Sequence, residues 1–166
     1  MKSIFGWKSQ YEFEFTLSIS GINHTGDSME KHIGSCRCGD IEFCFDNDPI
    51  NSTFCYCKDC QALTGSDKWF GLWVPRENFS FTKGIPSSYT RSGDSGKEVH
   101  YHFCSICSTA LCAEITAGNF YSVSATSLKN NNFTPKMSIY ASSAPSWATF
   151  PNNVPKFDIL PPGMAG

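Results

Sequence analysis

The sequence predicts a mainly β domain built from short antiparallel strands, with little helix. Apolar and polar residues alternate in several short segments, which is the two-residue period of a strand with one buried face. The 166 residues include 13 glycines and 9 prolines, which divide the chain into short pieces. Nine cysteines are also present, most of them in three tight clusters, so we expect the cysteines to organise the fold.

The first 30 residues differ from the rest of the chain. They contain no cysteine, and Tyr11, Phe13, Phe15, Leu17 and Ile19 alternate with polar residues in the manner of a strand. A loop-like stretch at 21–28 follows. We interpret residues 1–30 as an N-terminal extension, either an added edge strand or a loosely attached tail, and residues 31–166 as one cysteine-rich domain.

The following elements are predicted in chain order within that domain. Alternation at Ile41, Phe43 and Phe45 indicates a strand after the first cysteine pair. The further predicted strands are 69–74 (stopped by Pro75), 99–103, 110–115, 120–125 and 137–140. One short helix is predicted after Cys57, ending at Gly65. From Pro145 onward the tail holds five of the prolines and is expected to run extended over the surface.

Composition excludes several functional classes. The formal net charge is −2, so the basic surface that nucleic acid or an anionic membrane would require is missing. No run approaches the roughly 20 apolar residues of a membrane span, and the apolar stretch 15–22 is preceded by acidic residues, unlike a signal peptide. Without a visible secretory signal, and with an odd cysteine count, a disulfide framework fits poorly. We expect a soluble, cytoplasmic protein with reduced cysteines and a small-molecule substrate.

The spacing of the cysteines predicts two zinc sites. Cys36 and Cys38 form CxC, Cys55, Cys57 and Cys60 form CxCxxC, and Cys104 and Cys107 form CxxC. A turn brings sulfurs i and i+3 to one point, and an extended segment places side chains i and i+2 on one face. Zn²⁺ favours four tetrahedral ligands. Gly34 and Gly39 flank the CxC pair and are expected to let the backbone turn closely around the metal.

Counting ligands separates the two sites. CxC and the distant CxxC together provide four cysteines, which is a complete structural site. CxCxxC provides three, which leaves a fourth position for an exchangeable ligand, the usual arrangement of a catalytic zinc.

Three alternatives to this assignment remain open. One pair of clusters could form a single structural site while the third cluster holds no metal. His102, with His100 behind it, or Cys112 could close the three-cysteine site as a protein ligand. Cys44 and Cys112 stand outside the clusters, and the simplest interpretation of each is a small buried apolar residue.

The segments GSCRCGDIEF, CYCKDCQALTGS and YHFCSICSTALC, with Trp147 and the later Pro155-Lys156-Phe157, resemble the glutathione-dependent formaldehyde-activating enzyme family, also called the CENP-V/GFA domain. The resemblance covers about residues 31–160. It implies a mainly β, Mss4-like "β-tent" fold, a structural zinc on Cys36, Cys38, Cys104 and Cys107, and an exchangeable zinc on Cys55, Cys57 and Cys60.

The resemblance also implies an activity. Members of this family are carbon–sulfur lyases acting on adducts of glutathione with an aldehyde, such as S-hydroxymethylglutathione, with glutathione as cosubstrate. Thr64 and Gly65 match the family's TG and are expected to shape the rim of the site. Gln61 stands where many relatives have a basic residue, and Ser108 stands where Gly often follows CxxC. The candidates for holding a glutathione carboxylate are Lys58, Lys68, Arg76 and Arg91.

Two other functions are compatible with the sequence. The domain could be a zinc-stabilised protein-interaction module, since Mss4-like folds include such modules. It could also be a zinc enzyme that acts on another small electrophile. The exchangeability of the second zinc distinguishes an enzyme from a module with two inert ions.

Overall fold

The computed structural model describes residues 30–164. The strand predicted at 11–19 and the loop at 21–28 lie outside the described residues, so the N-terminal extension stays a prediction. The described part of the chain contains ten strands, one α-helix and three 3-10 helices. The strands are β1 (Lys31–Ser35), β2 (Glu42–Asp46), β3 (Asn51–Cys55), β4 (Trp69–Pro75), β5 (Phe79–Lys83), β6 (Ser87–Ser92), β7 (Glu98–Phe103), β8 (Ala110–Ile115), β9 (Phe120–Ser124) and β10 (Met137–Ile139). The helix α1 is Lys58–Thr64, and the 3-10 helices are Arg76–Asn78, Ala125–Ser127 and Ala141–Ser143.

The strands form two sheets. A three-stranded antiparallel sheet has the order β1-β2-β5, and a seven-stranded sheet has the order β10-β3-β4-β9-β8-β7-β6. All pairings are antiparallel except that of β10 with β3, which is parallel. The mainly β prediction with little helix is therefore confirmed, with one parallel edge strand added.

The two faces of the large sheet have different surroundings. Because side chains alternate along a strand, Leu72 and Val74 of β4 point to one face and Trp69 and Trp73 to the other. The first face packs with the small sheet around the fully buried rings of Phe43 and Phe45, which forms the main core. The second face carries separate, smaller apolar groups and opens onto a cavity.

Most of the predicted elements are present. The predicted strands correspond to β2, β4, β7, β8, β9 and β10 to within one or two residues, and α1 ends at Gly65 as predicted. Strands β1, β3, β5 and β6 were not predicted. The tail after Pro145 contains no strand, and part of it hydrogen-bonds beside β10, where Ser138 N–H donates to Pro155 O at 2.8 Å and Phe157 N–H to Ser138 O at 2.9 Å.

The two glycines near the first cysteine pair serve different purposes. Gly39 has φ +76 and lies in the turn that closes on Cys36, as expected. Gly34 is not in a left-handed conformation. A Cβ at Gly34 would lie 2.2 Å from Cζ of Phe43, so this residue is a glycine because a buried ring packs directly on its backbone.

No helix of the described residues is long and apolar enough to cross a membrane.

Candidate metal centre and cavity

Four cysteines meet between two turns. Cys36 and Cys38 follow β1, and Cys104 and Cys107 lie in the turn that joins β7 to β8. Every pair of these four sulfurs lies within 4.8 Å, with Cys36 Sγ 3.5 Å from Cys38 Sγ and Cys38 Sγ 3.7 Å from Cys104 Sγ. Zn–S bonds of about 2.3 Å in a tetrahedron separate neighbouring sulfurs by about 3.8 Å. The four sulfurs therefore fit a zinc ion.

Backbone and hydroxyl groups around this cluster favour thiolates. Ile41 N–H donates to Cys36 Sγ at 3.2 Å, and Thr109 Oγ1 lies 3.2 Å from Cys107 Sγ. The hydrogen bond with Thr109 lowers the pKa of Cys107 to about 5. In metal sites, neighbouring groups of this kind hydrogen-bond to the ligands and hold them in position.

Ser108 occupies the residue after the CxxC pair in a left-handed conformation, with φ +58. Its N–H donates to Cys104 O at 2.9 Å and so closes the turn. Glycine adopts such a conformation without strain, which is why a glycine fits this position. The departure at Ser108 is therefore a variation of the turn.

Three further cysteines meet at the start of α1. Cys55 ends β3, Cys57 is the N-cap of α1, and Cys60 lies in its first turn. Their sulfurs lie within 4.8 Å of one another, and Cys60 N–H donates to Cys57 Sγ at 3.4 Å. Hydrogen bonds from the Cys55 and Cys60 thiols, with a contribution from the charge of Arg91, lower the pKa of Cys57 to about 3. The cluster thus stabilises negative charge on sulfur, as a metal site must.

No fourth protein ligand joins this group among residues 30–164. His102 packs between Phe81 and Tyr121 and lies 3.8 Å from Glu114, and burial lowers its pKa. Cys112 is buried in the main core with Cys36 and Cys104. Both residues belong to the face of the large sheet away from the three cysteines, so neither closes the site. Cys44 is buried on β2 beside Ser80, as a small apolar residue.

The three-cysteine group opens onto a cavity of about 550 Å³. Five walls enclose it: the second face of the large sheet, the start of α1, the turn after β6, the residues after β10 and the tail. Its apolar lining consists of Leu63, Trp69, Trp73, Val99, Ala113, Ile115, Ala117, Phe120, Ile139, Ile159, Leu160 and Met164. A volume of this size accommodates a small organic ligand.

One polar network lies beside the cysteines in this cavity. Arg91 Nη2 forms an ion pair with Asp59 Oδ2 at 3.0 Å, and Arg91 Nε donates to the hydroxyl of Tyr101 at 3.1 Å. Burial raises the pKa of Tyr101, so its hydroxyl keeps its proton and can donate it to a ligand. Cys60 also raises the pKa of Tyr101, because a negative charge on that sulfur would act on the phenol.

A second polar pair, Tyr140 and Asp94, also lines the cavity. Tyr140 donates from its hydroxyl to Asp94 Oδ2 at 2.9 Å, and its backbone has φ +55, an uncommon conformation for an aromatic residue. Strained residues of this kind concentrate at functional sites. Asp94 belongs to the turn 93–97 that joins β6 to β7. In the structure this turn also forms part of the cavity wall.

The other residues singled out from the sequence lie away from the cavity. Of the four basic candidates, only Arg91 lines it; Lys68 pairs with Asp67 and Arg76 with Glu114. Thr64 and Gly65 do not shape the rim. Thr64 Oγ1 donates to Cys60 O at 2.8 Å, and Gly65, with φ +63, ends the helix.

Gln61 has a structural role. Its Nε2 donates to Tyr56 O at 2.6 Å and to Ser143 O at 3.0 Å, which ties α1 to the segment after β10. Gln61 therefore holds α1 in place through its amide without adding a charge at this position.

Comparison with known proteins identifies the family of this sequence. A family model described as glutathione-dependent formaldehyde-activating enzyme (GFA) matches residues 31–143. The chain belongs to the GFA family. All seven clustered cysteines and the polar network of Asp59, Arg91 and Tyr101 lie inside the matched range, whereas the tail residues that line the cavity lie beyond it.

A solved structure is also similar to this GFA-family chain. It is a crystal structure of a Rhodobacter sphaeroides protein determined as a structural genomics target, with 15% sequence identity and a TM-score of 0.47, covering 62% of this chain and 91% of that one. No curated protein is similar enough in sequence to match this chain.

Proposed function

We propose that this chain is a zinc-dependent carbon–sulfur lyase of the GFA type, which acts on the adduct of a thiol with an aldehyde, such as S-hydroxymethylglutathione. Two zinc ions per chain belong to this proposal: a structural ion on Cys36, Cys38, Cys104 and Cys107, and an exchangeable ion on Cys55, Cys57 and Cys60. The observation that carries the proposal is the three-cysteine group at the wall of a ligand-sized cavity, with no fourth protein ligand among the described residues.

Zinc on the three cysteines would supply a position at which a substrate sulfur is held as its thiolate. The chain's own residues supply the rest. In the lyase direction the carbon–sulfur bond of RS–CH₂OH breaks, its electron pair stays on sulfur, and the hydroxyl proton leaves as formaldehyde forms. The reverse reaction generates negative charge on the aldehyde oxygen. The Tyr101 hydroxyl, oriented by Arg91 Nε, can donate a hydrogen bond to that oxygen.

The apolar walls reduce the contact of the reacting atoms with water. Exclusion of water strengthens the hydrogen bond from Tyr101 and the charge interactions inside the cavity. A purely structural zinc module would need no such cavity, so the enzyme is the better supported of the alternatives. Formation of these adducts is also fast without a catalyst, so an enzyme of this kind must act on an already rapid equilibrium.

The proposal is tested by the exchange rate between thiol, formaldehyde and adduct, measured by NMR on the zinc-loaded protein. We expect acceleration over the uncatalysed exchange, its loss in Cys57→Ser, and a fall of about tenfold in Tyr101→Phe. Cys44→Ser is the matched control, because Cys44 is a buried cysteine outside both groups. Exchange no faster than in buffer, at two zinc ions per chain, would refute the lyase.

A further inference from the structure

We infer that the preferred thiol of this cavity is uncharged and hydrophobic rather than glutathione. The inference rests on the proposed function, since it concerns the thiol half of the same adduct. It comes from the charges and apolar surfaces that face the three cysteines, and it is specific to the residues of this chain.

The charges of the cavity oppose glutathione. Glutathione carries two carboxylates and one ammonium group, so its recognition requires cationic or N–H donors at two places. The charged residues that line the cavity are Asp59, Arg91, Asp94 and Glu98. Three carboxylates therefore face one guanidinium, and three cysteine thiolates holding one Zn²⁺ ion would add a net charge of −1. Glutathione, with a net charge of −1 while its thiol is protonated, would be repelled from such a wall.

The single guanidinium is already engaged. Arg91 pairs with Asp59 through Nη2 at 3.0 Å, donates to Tyr101 through Nε at 3.1 Å and to Ser92 O through Nη1 at 2.7 Å. A guanidinium has five N–H donors, and its strongest binding to a carboxylate uses two parallel ones. Three of these five donors are occupied, so a glutathione carboxylate would have to share the guanidinium with Asp59 through the two N–H groups that remain on Nη1 and Nη2.

The rest of the lining is suited to an apolar group. Trp73 stacks on Phe120 with ring centroids 4.6 Å apart, and both rings line the cavity. Ile115 and Ile139 lie on other strands of the same face, and Ile159 closes the wall from the tail. Burying a benzyl-sized group here removes apolar surface from water on both partners, which favours binding without any charged contact.

The reaction remains the one proposed above with a different R group. The adduct RS–CH₂OH, with R hydrophobic, releases RSH and formaldehyde. The carbon–sulfur bond breaks, sulfur keeps the electron pair and takes a proton, and the hydroxyl group loses its proton as the carbonyl forms. No oxidant or further reactant is required.

The test is a direct comparison of affinity. Benzyl mercaptan and glutathione are titrated by calorimetry into the zinc-loaded full-length chain, with zinc content measured before and after. We expect benzyl mercaptan to bind at least about tenfold more tightly. Equal or tighter binding of glutathione, or no binding of benzyl mercaptan, would overturn the inference.

Variants of Trp73 and Phe70 test whether the aromatic wall of the cavity binds the apolar thiol. Trp73→Ala is expected to weaken benzyl mercaptan binding about tenfold and glutathione binding less than twofold. Phe70→Ala is the matched control, because Phe70 lies on the same strand β4, packs on Phe54 and does not line the cavity. If Trp73→Ala does not fold, Trp73→Leu, which keeps an apolar side chain but removes the stacking ring, provides the same comparison.

A charge variant tests the reason for the preference. Asp59→Asn removes the partner of Arg91, so glutathione affinity is expected to rise several-fold. An unchanged glutathione affinity would mean that this ion pair does not set the selectivity. These measurements give affinities and are independent of turnover. Tighter binding of benzyl mercaptan without accelerated exchange would support the inference and contradict the proposed lyase. Accelerated exchange with tighter binding of glutathione would support the lyase and contradict the inference.

Discussion

Gly34 shows how a single missing Cβ supports the four-cysteine site. The ring of Phe43 is fully buried and packs on the backbone of Gly34, two residues before Cys36. A residue with a side chain would push this ring out of the main core or move β1 away from β2. The spacing of the cysteines identifies the ligands, but the need for glycine at 34 depends on the register of β1 and β2.

We therefore expect Gly34→Ala to destabilise the metal-loaded protein by about 1–3 kcal/mol, the cost of overpacking a well-packed core. Urea denaturation at a fixed free zinc concentration measures this loss. Gly96→Ala is a useful control, because Gly96 has φ +77 but open space around it, so it carries only the strain of a left-handed residue. A loss at Gly34 no larger than that at Gly96 would contradict the packing argument.

Replacement of Ser108 by glycine is expected to have the opposite effect on stability. Because its φ is +58, Ser108→Gly is expected to relieve strain and stabilise the protein by about 0.5–1 kcal/mol. The thermal midpoint should rise accordingly. Asn119→Gly, at φ +54, should gain less, because Asn tolerates this conformation better than Ser. Destabilisation by Ser108→Gly would show that the serine side chain has a contact outweighing the strain.

At the scale of elements, α1 is positioned by its contacts with the rest of the fold. It has seven residues, too few to be stable alone. Cys57 caps its first turn, Gly65 ends it, and Gln61 ties it to the carbonyl groups of Tyr56 and Ser143. The position of Cys57 and Cys60 relative to Cys55 therefore depends on Gln61.

Removal of the Gln61 hydrogen bonds should weaken zinc binding at the three-cysteine group and leave the four-cysteine group unchanged. We expect Gln61→Ala to lower the zinc affinity of the three-cysteine group about tenfold, in the range seen when groups supporting metal ligands are removed. Competition with a chromophoric chelator resolves the two sites by affinity. Thr64→Ala is the control, since it removes exposed hydrogen bonds at the end of the same helix, those of Thr64 Oγ1 with Cys60 O and Ser66 N–H, and leaves the tie of Gln61 in place. Equal weakening in both variants would mean that α1 as a whole, and not its tie, holds the ligands.

The strands that the sequence predicts have a clear local pattern of apolar residues, whereas β3 and β6, which it misses, do not. β8 and β9 have apolar sequences, and β2 and β7 alternate, so their local pattern suffices. β3 has the buried polar residues Ser52 and Thr53, so its sequence lacks the apolar pattern of a buried strand. β6 is an edge strand with mostly exposed residues, and only its pairing with β7 makes it a strand.

At the scale of the whole molecule, the four-cysteine site joins the small sheet to the large one. Cys36 and Cys38 lie between β1 and β2, whereas Cys104 and Cys107 lie between β7 and β8. The three-cysteine site instead lies beside the cavity and involves one continuous segment, 55–60. Cross-linking over a long loop restricts the unfolded chain more than cross-linking over a short one.

Loss of a ligand should therefore have unequal effects at the two sites. We expect Cys104→Ser to lower stability by at least about 3 kcal/mol, which corresponds to about 10 °C in the thermal midpoint. Cys57→Ser should release one zinc ion and shift the midpoint by only a few degrees. Calorimetry with zinc analysis measures both. Comparable shifts would mean that both ions hold the fold together.

The cavity could not be predicted from the sequence. Arg91 reaches the cysteines because β6 pairs with β7 in a register that sets Arg91 opposite Val99, and this register has no local signal. The segments that line the cavity are also far apart in the chain, from Thr53 to Met164. The ligand groups were predictable because each is defined by residues two or three positions apart.

The parallel pairing of β10 with β3 also sets an order of assembly. During synthesis, the last ligand of the four-cysteine site, Cys107, emerges long before Met137–Ile139 and the tail residues Ile159 and Leu160. The two sheets can thus be joined by metal while the three cysteines of the second group still face solvent on one side. The chamber around the sulfurs of Cys55, Cys57 and Cys60 therefore requires residues that follow both metal-binding groups in the chain, up to Met164.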